Sequence, residues 1–280
     1  MTSTALREST AAVEADLNYL LYTGARPVSY TYVPPPGIPQ QSGEILAQRV
    51  RIENGRGNPA LSLHQSGFEL RRAPSTFREF ADEAAIRGSY YADAERLLRE
   101  VTGAEKVVVF DHTLRYGAAG HQERGVREPV RRVHNDQTFV SGPRRARDHL
   151  PPEEAEQRLQ RRFAIINVWR PIGAPVQSAP LALCDARSIT AAELVPTDLV
   201  YPDKVGEVYS FVPSSNHRWH YFPQVSPDEV ILIKIYDSLA DGKVARLTAH
   251  TAFDDPETPA DAPPRRSIEL RCLVFYPPDA

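Results

Sequence analysis

Only two cysteines, Cys184 and Cys272, occur in 280 residues. Two cannot build a disulfide framework, and without CxxC spacing they exclude a zinc ribbon or a dithiol redox motif, so a reducing cytoplasm is the expected compartment. No run approaches the roughly 18 apolar residues of a membrane span, and the first ten residues lack the apolar stretch of a secretion signal. Neither sign of charge dominates: 33 Lys and Arg against 36 Asp and Glu leave a net −3, with the basic residues scattered. That removes the electrostatic footprint a nucleic-acid partner requires. No repeat of fixed period and no low-complexity tract is present.

What is there fits a soluble globular protein with a sizeable core: 41% hydrophobic and 25% charged residues. The 25 prolines announce many loops. Residues 1–44 read as an N-terminal arm and loop, with 1–10 frayed, 11–22 a short helix or docked arm, and a proline-rich loop at 33–41. Residues 45–278 read as one catalytic region, so 1–280 is expected to form a single domain. Alternation at 48–53, the Asn54-Gly55 turn signal and renewed alternation at 61–64 predict a β-hairpin. Helices are expected at 77–85 behind a Ser75 or Thr76 cap and at 89–101, stopping at Gly103. A strand follows at 106–110, and a polar, glycine-rich loop at 116–131 occupies the place of an active-site lid.

Beyond Val133 short strands dominate, at 137–140, 163–170, 182–185, 207–212, 219–223, 230–236, 246–252 and 267–276, interrupted by one helix at 153–162. This pattern predicts a mainly β fold, a double-sheet jelly roll with flanking N-terminal helices, rather than alternating βα units.

The chemistry-bearing candidates are few. His134-x-Asp136 alternates along an extended chain, so both side chains project from one face and reach one cation. Two imidazoles and a carboxylate on one face suit ferrous iron, because they leave positions open for a chelating cosubstrate and for oxygen. A second histidine must come from a distant strand, and His217, His220 and His250 are the candidates. His250 is favoured because the strand that follows it opens with Arg265-Arg266-Ser267. Alternation places Arg265, Ser267, Glu269 and Arg271 on one face of that strand and Arg266 on the other. A guanidinium fork with a hydroxyl beside it suits a carboxylate, so Arg265, Ser267 and Arg271 are the residues expected at the cosubstrate, with Arg266 the alternative anchor. Arg170, His112 and Arg115, at strand ends, are the candidates for binding substrate.

The stretches Val108-Val-Phe-Asp-His-Thr-Leu-Arg115, Asn167-Val-Trp-Arg-Pro171, Pro180-Leu-Ala-Leu-Cys-Asp185, His217-Arg-Trp-His-Tyr-Phe-Pro223 and His250-Thr-Ala-Phe-Asp-Asp-Pro256, followed by Pro264-Arg-Arg-Ser267, occur in this order. In them the chain resembles the hydroxylase/desaturase family of fungal AsaB-like enzymes, related to the smaller component of cephamycin 7α-methoxylase. The resemblance covers roughly residues 45–278. It implies a double-stranded β-helix (cupin-like) oxygenase using Fe(II) and 2-oxoglutarate, with His134, Asp136 and His250 as iron ligands and Arg265 with Ser267 as the cosubstrate anchor. It further implies oxidation of a small metabolite in secondary metabolism, with an amino acid derivative as the favoured substrate. The expected partners are that substrate, 2-oxoglutarate and dioxygen, without nucleic acid or membrane; a homodimer or a partner oxygenase stays open. An accessory subunit and a metal-dependent cupin-type lyase or isomerase are the rival readings.

Overall fold

The computed structural model describes residues 11–117 and 126–278. In chain order it contains β1 (Ala12–Leu21), β2 (Val28–Tyr30), β3 (Glu44–Asn54), β4 (Phe68–Arg72), α1 (Glu83–Ala85), α2 (Tyr91–Thr102), β5 (Lys106–Tyr116), β6 (Val126–Arg127) and β7 (His134–Asn135). There follow α3 (Ser141–His149), α4 (Pro152–Leu159), β8 (Phe163–Pro171), β9 (Leu181–Cys184), β10 (Leu194–Val200), β11 (Val205–Phe211), β12 (Trp219–Tyr221), β13 (Glu229–Asp237), β14 (His250–Ala252) and β15 (Arg266–Phe275). The strands assemble into a sheet of order β1-β3-β12-β9-β14-β7-β11-β10-β2 and another of order β4-β13-β8-β15-β5-β6. This is the mainly β, two-sheet architecture that the strand pattern predicts, with few helices.

Side-chain alternation sorts the core into layers. In β8, Phe163, Ile165 and Trp169 pack toward Leu181 and Leu183 of the other sheet, while Ile166 and Val168 pack toward α2 with Ile268, Leu270 and Cys272 of β15. Buried on both sides, β8 reads in sequence as a continuous apolar run. Helix α2 covers the outer face through Tyr91, Ala94 and Leu98, and ends where Gly103 adopts φ 68°. A third core lies behind the nine-stranded sheet, where Val13, Ala15, Leu17 and Tyr19 of β1 meet Trp219, Tyr221 and Phe211. There the sheet curls until its first strand meets the chain entering β7: Asn18 bridges Arg132, and Val133 N–H donates to Asn18 O at 2.9 Å.

Several local expectations are corrected. Residues 12–21 form an edge strand, neither helix nor arm, in antiparallel register with the whole of β3. The hairpin at 48–64 does not form, because β3 spends its two edges on β1 and, in parallel, on β12. Of the helix expected at 77–85 only Glu83–Ala85 forms: a turn at 80–81, closed by Asp82 N–H donating to Glu79 O, precedes Asp82, whose carboxylate accepts from Ala84 N and Ala85 N. Phe77 and Phe80 are buried without it. Residues 137–140 turn into α3 because Thr138 Oγ1 accepts from Ser141 N (2.9 Å) and Ser141 Oγ from Thr138 N (2.8 Å). β10 escapes the strand pattern because Pro196 interrupts it. Of the lid expected at 116–131, residues 118–125 lie outside the described residues.

One irregularity matters for the site. β5 and β15 shift register between Arg271 and Cys272, which pair with Asp111 and Val109, so Phe110 is the extra residue of a bulge. Val107 and Val109 therefore face α2, whereas beyond the bulge Asp111 and Thr113 turn to Arg271 on the inner face.

Candidate metal and cosubstrate site

His134 and His250 are direct partners across the antiparallel β7–β14 pair, which sets their side chains on one face. Their ring centroids lie 4.4 Å apart. Two residues along from His134, Asp136 falls on the same side, because Asn135 turns away and donates to the carbonyls of Gln137 and Ile235. Asp136 Oδ1 stands 3.4 Å from His134 Nε2 and 4.0 Å from His250 Nε2. One donor atom from each of the three lies within 4.8 Å of the others, a group able to hold a metal ion. His134 Nδ1 donates to Arg132 O at 2.8 Å, which fixes the tautomer and leaves Nε2 with a free lone pair. Burial, reinforced by His134, pushes the His250 pKa down to about 4, so the ring is a neutral ligand near pH 7. Burial opposes ionisation of Asp136, but the Arg271 guanidinium and the two imidazoles outweigh it and hold the carboxyl well below the usual range. Of the three candidates for the second histidine, only His250 converges. His217 is bound between Tyr19 and Glu193 in the third core, and His220 packs against Phe68.

Opposite the triad, the six-stranded sheet supplies a second constellation. Arg115, Trp169, Arg265 and Glu269 line a narrow cleft with His134 and His250. Arg265 is 3% exposed. Its Nη1 donates to Ala179 O at 2.6 Å and its guanidinium lies over the Trp169 ring. Among the described residues its Nε has no partner, and neither has Ser267 Oγ. Burial, together with repulsion from Arg115, brings the Arg265 pKa down to about 9. A buried cation with an idle donor beside an idle hydroxyl is a receptor for a carboxylate. Ala179 holds the left-handed φ of 47° while presenting its carbonyl there, a strain of the kind that gathers at ligand sites.

The other expected site residues divide by strand parity. Arg271 faces the site but is engaged: Nε donates to Asp136 Oδ2 (3.1 Å), Nη1 to Thr113 Oγ1 (2.9 Å) and Asp111 Oδ2 (3.2 Å), Nη2 to Glu269 Oε2 (3.4 Å). Its place is at the carboxylate of the triad rather than at an open cosubstrate position. Arg266 turns outward onto Tyr116. Arg115 lines the cleft, 3.9 Å from Glu269, and donates to Glu128 O. Arg170 and His112 are corrections. Arg170 bonds Tyr90 OH and Pro227 O, and His112 bonds Tyr91 OH and meets Glu83, both on the α2 side of the sheet. Asn167 is the residue for which the sequence reading found no role. Its Nδ2 donates to Asp136 Oδ2 at 2.8 Å and Glu269 Oε1 at 3.0 Å. The available signal was parity: Asn167 is one of two polar residues in a strand buried throughout, and it stands on the opposite face from Arg170.

Two curled sheets closing over a two-histidine, one-carboxylate face, with a buried guanidinium across the cleft whose Nε has no partner among the described residues, are the frame of an Fe(II)/2-oxoglutarate-dependent dioxygenase. Residues 17–275 match the family described as "Oxidoreductase/YMDC permease-like domain". The "Hydroxylase/desaturase CTB9" of Cercospora beticola is 38% identical over 250 residues, 81% of this chain and 76% of that protein. The "Fe(II)/2-oxoglutarate-dependent dioxygenase nvfI" of Aspergillus novofumigatus is 35% identical over 255 residues, 88% of this chain and 90% of that protein. The solved structure titled "iron and alpha-ketoglutarate-dependent endoperoxidase NvfI" superposes with a TM-score of 0.87 at 31% identity, covering 96% of this chain and 99% of that one. The chain belongs to this family, the AsaB-like hydroxylase/desaturase branch of the oxygenases that use ferrous iron as cofactor and 2-oxoglutarate as cosubstrate in secondary metabolism. No helix among the described residues is long and apolar enough to cross a membrane.

Proposed function

We propose that this protein oxidises an unactivated C–H bond of a small metabolite, by hydroxylation, desaturation or ring closure, with His134, Asp136 and His250 as the iron ligands. The observation that carries the reading is the meeting, across one cleft, of the triad with Arg265 and Ser267, whose idle donors match a carboxylate. Arg265 and Ser267 hold the distal carboxylate of 2-oxoglutarate in a charge-assisted pair. His134, Asp136 and His250 would hold the cation, three protein ligands that leave coordination positions for a keto acid and oxygen. When bound, ferrous iron supplies the activation of dioxygen, with 2-oxoglutarate giving two electrons as it becomes succinate and carbon dioxide. Trp169, Leu181 and Ala252 wall the cleft and keep water from competing with the substrate C–H.

The rival readings lose ground to particular atoms. A cupin-type lyase has no use for the buried guanidinium of Arg265, whose Nε has no partner among the described residues, and an accessory subunit has no use for a complete ligand set. An amino acid derivative as substrate is expected from the family resemblance and from the arginines near the pocket. With Arg170 on the α2 side, Arg115 is the one of the substrate-binding candidates that lines the cleft and supports it.

The test is anaerobic titration of the metal-free protein with ferrous iron and 2-oxoglutarate, watching the weak visible charge-transfer band of the chelate. Wild type develops the band; Asp136→Ala and His250→Ala do not, and both lose iron-dependent succinate formation while keeping the wild-type circular dichroism. Full succinate formation by either variant would end the ligand assignment.

A further inference from the structure

Asp136 belongs by sequence to the nine-stranded sheet's side of the cleft, yet among the described residues its Oδ2 is bound by two of the opposite sheet, Asn167 of β8 at 2.8 Å and Arg271 of β15 at 3.1 Å. Its Oδ1 is left toward the histidines. The orientation of the Asn167 amide follows from its partners: both atoms facing it, Asp136 Oδ2 and Glu269 Oε1, are carboxylate acceptors, so Nδ2 must be the end that points inward. Each of its two N–H groups is thus spent on a different carboxylate. Asn167 is fully buried, as the second row around a preformed site must be if it is to hold a side chain in one rotamer.

We infer that Asn167 is a positioning residue that clamps Asp136 across the two sheets and restricts it to the metal as a one-oxygen ligand. The inference rests on the proposed role of Asp136 and goes beyond it in saying why this carboxylate presents a single oxygen. The clamp does two things. By occupying Oδ2 it prevents the carboxylate from rotating to chelate through both oxygens, which would consume a position that a keto acid and oxygen need. By tying the ligand to β8, whose neighbour β15 carries Ser267 with Arg265 just before it, it fixes the distance between the metal side and the anchor side of the cleft. Asn167 tests this more cleanly than Arg271, because removing a neutral amide changes orientation without removing a charge that competes with the metal.

The experiment is a titration of the metal-free full-length protein with Co(II), a spectroscopic substitute for Fe(II), in the presence of 2-oxoglutarate under argon. Dissociation constant and ligand-field bands are read for wild type, Asn167→Ala, Asn167→Ser and Asp136→Ala. Loss of a partner in the second row weakens metal binding by about 10- to 100-fold, so Asn167→Ala is expected to raise the Co(II) dissociation constant within that range and to change the bands, with circular dichroism retained. Asn167→Ser, which keeps one donor of two, is expected in between, and it decides the matter alone if the alanine variant does not fold. Wild-type affinity and unchanged bands in a folded Asn167 variant would overturn the clamp while leaving Asp136 a ligand. Wild-type affinity in Asp136→Ala would instead overturn the ligand assignment itself.

Discussion

A guanidinium as buried as that of Arg265, with one carbonyl and one aromatic face for company, is costly unless an anion completes it. Its loss should therefore be felt where the anion binds. Arg265→Ala is expected to raise the KM for 2-oxoglutarate by roughly 30-fold or more, the equivalent of about 2 kcal/mol for one partner of a buried charge pair. Arg266→Ala, outward on Tyr116, should leave it near wild type. Initial rates of succinate formation against 2-oxoglutarate concentration check both, and the reverse ranking would move the anchor to Arg266. Histidines away from the site make a different prediction. Burial lowers the pKa of His217, against the pull of Glu193, and that of His220. Such a ring takes its proton more readily in the unfolded chain, so the stability it confers is complete above the unfolded value of about 6.5 and drains as pH falls below it. Thermal melts of the metal-free protein should show Tm declining from about pH 6.5 toward 5, and His220→Gln, which does not titrate there, should flatten the slope. A slope indifferent to that substitution would place the acid sensitivity elsewhere.

At the scale of elements, the bulge in β5 decides which side chains the site receives. Had the ladder run on regularly through Phe110, Thr113 and Arg115 would face α2; deleting Phe110 instead joins Val109, outward opposite Cys272, to Asp111, inward opposite Arg271, and keeps Thr113 and Arg115 on the inner face. The deletion is therefore expected to leave the charge-transfer band of the iron and 2-oxoglutarate chelate in place in soluble protein, and loss of the band would show that the bend of the bulge itself shapes the site. Leu98→Ala, on the outer layer and fully buried, is its counterpart: a loss of about 2–5 kcal/mol in urea unfolding with the KM for 2-oxoglutarate unchanged. The same bulge marks the limit of what can be read from sequence. Alternation in β15 placed Arg265, Ser267, Glu269 and Arg271 together, and they are together, because that strand keeps its parity to the end. Alternation in β8 carried equal information, but Arg170 drew attention by its charge while Asn167, neutral and on the inner face, did not. His112 is on the wrong side because a bulge leaves no mark in a run such as Val-Val-Val-Phe-Asp-His. The helix expected at 77–85 failed for a related reason: its apolar residues, Phe77 and Phe80, are buried by tertiary contact with Tyr90, and local spacing cannot distinguish that from an amphipathic face.

For the whole molecule, the strand least visible in the sequence closes the structure around the site. β1 runs beside β3 for ten residues and ties its other edge to the chain just before His134. Tyr19 OH accepts from Trp219 Nε1 at 2.8 Å and meets His217 Nδ1 at 2.9 Å, so one hydroxyl serves two groups of the third core. We propose on this basis that β1, expected from sequence to be part of an arm ahead of the catalytic region at 45–278, is integral to the folded core of the domain, in keeping with a family match that opens at residue 17. Val13, Ala15, Leu17 and Tyr19 are each no more than 6% exposed. At about 1.5–3 kcal/mol for each large side chain buried, removing the strand forfeits an amount comparable with the roughly 5–15 kcal/mol that holds a domain together. A chain starting at residue 44 is therefore expected to be insoluble or to lack a cooperative melt. The milder Tyr19→Phe leaves Trp219 Nε1 and His217 Nδ1 without their shared partner at a cost of about 1–3 kcal/mol, measurable by urea unfolding. If the chain from residue 44 melted cooperatively and bound iron with wild-type affinity, β1 would be an ornament on the sheet, and the path from the third core to His134 would carry none of the site's rigidity.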